Sequence, residues 1–314
     1  VVNQENVTAP ADDDYTIGDL FLHVGEGTPV MSLETDGPQG TRPWQKMVLD
    51  ANAQGGLVYF MSNADVQDYI ANGKLSFGIQ LKTTAATISN ARIGILKWVG
   101  TADAVTSDVV GTWASDGTNP TLATSWSYEN TPANIGLTTS WARHTVEDVT
   151  VDSNTTNIAI FVWTDDGTIT ASDVIGFSEW QCNPGSTVNA FSTPKLTDVS
   201  TQVDYYLQRY DFNSTANEWV SFAWFTGTGV GTTGIDLRRQ MRATPTVTES
   251  AAATFKMSDG QAAAVLNALS QTHANTNKVR YSTGQAGTTW TAGNGGEWRR
   301  DATDTCFIMA DARL

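Results

Sequence analysis

Carboxylates are the groups in this chain whose type and spacing could do chemistry. Glycoside hydrolysis needs two of them about 5–10 Å apart, one with a raised pKa. Glu147-Asp148, Asp165-Asp166 and Glu179 are the candidates. Successive strand residues point to opposite faces, so Glu147-Asp148 makes a poor acid/base pair. Solvated turn acids are the expected role for all of them. Asp12-Asp13-Asp14 and Asp165-Asp166-Gly167 offer hard oxygen donors of the kind calcium takes. A solvated charge run and a hairpin turn are the favoured readings of the two. The three histidines, His23, His144 and His273, are far apart and share no H-x-x-x-H spacing, so no zinc site is expected. Gly227–Gly234 lacks the Lys-Ser/Thr of a phosphate-binding loop, and no G-x-S-x-G elbow is present. These residues predict no catalytic site, no metal site and no cofactor.

The aromatics are more suggestive. There are 11 Trp, and Trp113 (GTWASDG) and Trp126 (ATSWSYEN, with Tyr128 beside it) stand in turn-rich text that predicts exposure. The segment Gly100–Thr139 shows no clear strand and is far longer than an ordinary sandwich loop. Binding sites are often built on such loops over a rigid scaffold. Flat rings flanked by Asn, Asp and Ser suit sugars, so Trp113, Trp126 and Tyr128 are the candidate ligand-binding residues. Burial against the sandwich edge or in a subunit contact is the competing role.

The elements that would position these residues read as strands. Lys74–Lys82 alternates, with Leu75, Phe77, Ile79 and Leu81 on one face. Further strands are expected at Ala91–Val99, Trp141–Val151, Asn157–Trp163 and Val174–Trp180. In Trp141–Val151 strict alternation places Val149 and Val151 on one face and Val146 on the other. Asn157–Trp163 is apolar on both faces, as suits a central strand. Asn63–Ala71 is a two-turn helix ending at Asn72-Gly73, a C-cap signal. The expected architecture is all-β: a jelly-roll or β-sandwich domain over 1–182, a junction over 183–212 and a smaller C-terminal β domain over 213–314. In the junction a short helix at Thr197–Tyr206 aligns Leu196, Val199, Val203 and Tyr206. Trp219–Phe225 is a strongly β-prone aromatic strand. No repeat of 20–50 residues is present.

Composition bounds the function. At 314 residues the chain has room for about two domains, each large enough to hold a core without staples. Its net charge of −15 (18 Lys+Arg against 33 Asp+Glu) repels phosphate backbones and anionic lipid, so no nucleic-acid partner is expected. No apolar run suggests a membrane span, and no basic stretch followed by an apolar one reads as a signal peptide. Cys182 and Cys306 are too far apart to suggest a disulfide framework and read as buried thiols.

The stretch Gly176–Tyr210, a strand closed by a Gly/Pro turn and followed by an amphipathic piece ending in Gln208-Arg209-Tyr210, resembles a segment of many bacteriophage tail-fibre and related virion proteins. In them a last jelly-roll strand enters a C-terminal β domain through an "E-L-x-x-C-Q-R-Y" motif. Tyr15, Asp19 and Phe21 are similar to their opening motif, Asn72–Phe77 to a "G-K-x-V-T-L-S-F" strand, Trp141-Ala142-Arg143 to "W-x-R", and Met241–Val247 to "M-R-A-T-P-T-V". Here Cys182-Asn183 replaces the usual Glu, and Leu207 the usual Cys. The resemblance implies a non-enzymatic fibre-type protein of the tail or head, assembled in the host cytoplasm into the virion. It also implies a homotrimer whose contacts bury Trp219, Phe222 and Trp224, other virion proteins as partners, and a host-surface glycan as the target. A carbohydrate-binding module of a secreted protein is the alternative, as is a capsid decoration protein with no receptor role.

Overall fold

The computed structural model describes residues 7–16, 18, 20–40, 42–51, 53–84, 88–114, 116–165, 168–193, 196–212, 219–227, 229–258, 263–284, 290, 292, 294–301 and 306–313. The chain divides into two compact units at 195/196.

The N-terminal unit is a sandwich of two antiparallel sheets. One has the order Phe21–Gly25, Gly55–Met61, Asn157–Thr164, Asn90–Trp98 and Ile135–Gly136, with Trp126–Tyr128 also pairing Asn90–Trp98. The other has the order Ala142–Thr150, Lys74–Thr83, Val174–Pro184, Trp44–Val48 and Val30–Glu34. Alternation builds the core between them: Leu75, Phe77, Ile79 and Leu81 face Ile93, Ile95, Ile158, Ile160 and Val162. The helix is Asn63–Asn72, with the Ser62 hydroxyl accepting the Asp65 N–H at its start and Gly73 closing it in the left-handed conformation at φ 72°.

Two strands break strict alternation. Between Val146 and Val149, and between Ser178 and Gln181, the bulged strand spends one extra residue against Lys74–Thr83. Asp148 and Glu179 sit in these bulges at φ 57° and 52°. The first bulge corrects the sequence reading: it turns Val146 to the same side as Val149 and Val151, and all three pack on the core.

Asn157–Thr164 is buried along its whole length because both of its faces are covered. The segment that lacks sequence periodicity supplies the cover. Val109, Val110 and Trp126 of the segment pack on Trp98, Phe161 and Trp163 of the first sheet as a second apolar layer on its outer face. Beneath it Arg92 is buried, its Nε 2.7 Å from Asp165 Oδ2 and 2.7 Å from Asn134 Oδ1. Asp165 is 0% exposed, so it is a buried ion-pair partner and not the solvated turn acid that its sequence neighbourhood suggests.

The second unit carries the helix Leu196–Tyr206, a three-stranded sheet (Leu207–Phe212, Cys306–Asp311, Thr246–Glu249) and a seven-stranded sheet. Val203 and Tyr206 of the helix are buried, whereas the side chains of Leu196 and Val199 lie outside the described residues. Its core is aromatic-rich, with Phe225, Phe255, Tyr281, Trp290 and Trp298. Gln208 is fully buried. Its amide donates to Asp204 O at 2.8 Å and Arg239 O at 2.9 Å, and its oxygen accepts the Arg238 N–H at 2.8 Å. The Gln-Arg-Tyr motif is thus a staple between helix, sheet and the 237–239 turn. Neither Cys182 nor Cys306 is in a disulfide, and burial pushes the Cys182 thiol up to about 12.

Candidate functional site

The sequence-predicted aromatics belong to the packed layer. Trp126 is 6% exposed; its ring lies 5.1 Å from that of Trp98 and 5.8 Å from that of Phe60. Its indole N–H donates to Thr106 Oγ1. Trp113 packs against Phe161 at 6.0 Å, and the Tyr128 hydroxyl donates to Pro120 O at 3.0 Å. Trp113 and Tyr128 are half-buried. The expected open aromatic platform is therefore replaced by a cover over the sheet, because an all-apolar central strand demands burial on both sides.

The polar counterpart is the outer face of the second sheet. Alternation sends Ser76, Gly78, Gln80 and Lys82 outward from the central strand, opposite Arg143 and Thr145 on one side and Gly176, Ser178 and Gln181 on the other. Gly78 and Gly176 have no side chain to fill this face, and larger neighbours lie down over them. A Cβ on Gly78 would fall 2.5 Å from the Arg143 guanidinium, and one on Gly176 would fall 2.9 Å from Trp44 and 3.0 Å from Trp141. Lys82 Nζ sits 4.1 Å above the Trp44 ring and 4.8 Å from that of Trp141, a cation held between two indoles.

Beside it opens a cleft of about 410 Å³ lined by Gln39, Arg42, Gln80, Arg143, Glu179 and Phe191, with Thr145 and residues 188–190 at its rim. Glu179 is its only carboxylate among the described lining residues, and the bulge aims it there: its side chain is 5% exposed and lies 3.0 Å from Arg42 Nε and 3.8 Å from Arg143 Nη1. Arg143 also donates to Glu179 O at 2.9 Å and to Gln181 Oε1 at 2.8 Å. Burial lowers its pKa, with Glu179 opposing the shift. Both guanidiniums lean on the Phe191 ring, Arg42 at 4.8 Å and Arg143 at 5.9 Å. Arg42 Nη1 and Gln80 Oε1 are buried without a hydrogen-bond partner. The arrangement sets an aromatic wall beside hydrogen-bond donors and acceptors on one concave surface.

Sequence reasoning named Glu179 only as one carboxylate among several and missed Arg42, Gln80 and Phe191. The legible signal was a glycine at an outward position of an otherwise regular strand, where a neighbour must lie close.

A second cleft of about 450 Å³ opens where Ile93 and Ile135 of one sheet and Val146 and Val149 of the other leave the sandwich edge. Its acids are committed to the frame: Asp148 pairs with Lys74 at 3.2 Å, Glu129 with Lys97 at 3.8 Å, and Glu147 accepts the Val188 N–H at 2.7 Å. No cluster of three or more metal-ligating side chains occurs among the described residues.

In the second unit Phe222 and Trp224 alternate with buried Ala223 and Phe225 and are 73% and 55% exposed. The Trp219 side chain lies outside the described residues.

No protein-family model matches the chain, and no curated protein matches it. Solved structures similar to it include a family 11 carbohydrate-binding module from Clostridium thermocellum in complex with a β-1,3-1,4-mixed-linked tetrasaccharide. That match has 10% identity, covers 58% of this chain and 97% of that one, and has a TM-score of 0.31. Another is the tandem CBM22-1–CBM22-2 domain of Xyn10C from Paenibacillus barcinonensis, with 9% identity, 92% and 93% coverage and a TM-score of 0.34. At such scores the likeness carries no argument about ligand or mechanism.

Proposed function

We propose that the protein is a non-enzymatic surface-recognition protein whose N-terminal sandwich binds saccharide in the cleft between Arg42, Arg143 and Phe191. The observation that carries this reading is the cleft itself: an aromatic ring flanked by half-buried, hydrogen-bonded donors and acceptors. Sugars present C–H faces and hydroxyl edges together, and such a lining meets both. Glu179 is spanned by two guanidiniums and has no second carboxylate in the described lining, which suits accepting hydrogen bonds and gives hydrolysis no acid/base pair.

The finer reading is a fibre-type virion protein of a bacteriophage, with the second unit joining copies into a trimer and the first meeting the host surface. The ordered motifs from Tyr15 to Val247 support it, as do Phe222 and Trp224 on an exposed sheet face. The saccharide reading is tested on a glycan array with the full chain and with Phe191→Ala. The expected result is binding by the native chain that falls at least tenfold in the variant, the cost of losing one aromatic contact of about 1.4 kcal/mol. An array on which the native chain binds nothing refutes the reading.

A further inference from the structure

We infer that the cleft selects anionic saccharides, through a carboxylate or sulfate held by Arg42 and a neighbouring sugar hydroxyl that donates to Gln80. The inference rests on the saccharide reading above and adds its chemical class.

Charge is the first argument. The chain carries a net charge of −15, yet the cleft gathers two guanidiniums against one carboxylate and keeps one net positive charge. Glu179 does not repel an incoming anion as a bare carboxylate does, since Arg42 Nε and Arg143 Nη1 both lie on it. A concentrated positive site in an acidic molecule draws anionic ligands locally while the rest of the surface repels them.

Unfilled valence is the second argument. Arg143 is held by two hydrogen bonds, one to Glu179 O and one to Gln181 Oε1, and serves as a wall of the cleft. Arg42 keeps an unfilled donor: its Nε faces Glu179, while its Nη1 is buried with no acceptor. Gln80, paired across the strands with Arg143, leaves its Oε1 buried with no donor. A buried polar atom without a partner is costly: Arg42 Nη1 lacks an acceptor and Gln80 Oε1 a donor, while Glu179 Oε1 is ion-paired with Arg42 Nε at 3.0 Å but accepts no hydrogen bond. A sugar acid supplies both: an anionic oxygen for the guanidinium, in a charge-assisted bond, and a hydroxyl for the amide oxygen. Phe191, already against both guanidiniums, walls the ring.

The test is an array of neutral, uronate-bearing and sulfated oligosaccharides probed with the full chain, followed by titration calorimetry on the best binder. For a uronate, the methyl ester that removes only the charge is titrated as well. The inference expects the acid to bind at least tenfold more tightly than its ester. It also expects that preference to shrink between about 0.05 and 0.5 M salt, and to disappear in Arg42→Gln. Lys46→Gln, which removes a positive charge from the same sheet face outside the cleft, should leave the preference unchanged. Thermal unfolding of both variants confirms that they are folded. Uronate binders and sulfate-only binders both support the inference and identify the source of the anion. Equal binding of acid and ester, or an array of neutral binders only, overturns it and leaves the saccharide reading standing. An array with no binder overturns both.

Discussion

Asp13 shows how a single side chain can carry a pH dependence. It sits at φ 65°, and burial, then Asp12, Asp108 and Asp14, raise its pKa to about 6. A carboxyl whose folded pKa exceeds its ordinary value stabilises the fold fully below that ordinary value, and the stability is lost as pH rises through about 6. Asp13→Asn is therefore expected to raise the melting temperature at pH 7.5, by something on the order of 2 °C once solvent screening is allowed for. At pH 5, between the ordinary and the raised pKa, the gain should be roughly half as large. His23 works with the opposite sign: burial lowers its pKa, so its contribution is lost as pH falls below the usual imidazole range. Because the native chain and the variant share His23, comparing their melting curves at the two pH values isolates Asp13. Equal gains at both would place the effect in the backbone, where Asn suits positive φ.

At the scale of the element, the cover over the first sheet hangs on Arg92. Its guanidinium joins Asp165 to Asn119 and Asn134, the last two from the segment without periodicity. Removing one partner of a buried pair leaves the other charge unpaired, at about 3–5 kcal/mol. Arg92→Leu is expected to destabilise the N-terminal unit by that amount in chemical denaturation, and Arg92→Leu with Asp165→Asn to recover part of it. A loss under about 1 kcal/mol would show that the apolar layer alone holds the cover. This scale also separates what the sequence made legible from what it hid. Lys74–Thr83 was readable from its local alternation, Asn157–Thr164 from its unbroken apolar run, and the helix from the Asn72-Gly73 stop. The 100–139 cover was hidden, since its strands are two or three residues long and its order comes from distant partners such as Phe161. The bulges at Asp148 and Glu179 were hidden for the same reason: an inserted residue leaves no mark in composition. The second of them put the site's carboxylate in place, so the cleft could not be assembled from sequence alone.

At the scale of the whole molecule, each unit has its own core, and the second leaves large aromatics in water. Exposed apolar patches are where proteins meet other proteins, membranes or ligands. If copies join there, the native chain has a solution mass three times 33.7 kDa, and Phe222→Ser with Trp224→Ser returns it to one. Light scattering coupled to size exclusion measures this directly. A native chain of single mass would remove the trimer from the proposal without touching the cleft.

The paired bulges have a further consequence for misfolding. Lys74–Thr83 is engaged on both sides by strands that each carry one surplus residue, set at neighbouring heights: opposite Leu75–Phe77 on one side and Gly78–Gln80 on the other. A regular strand can slide against its neighbours by two residues and still turn its apolar side inward. This one cannot slide without pulling two protrusions out of step at once and lifting Arg143 off Gly78. The irregularities thus proofread the pairing. The same local distortion that turns Glu179 into the cleft also disfavours the mis-threaded sandwich in which no cleft exists.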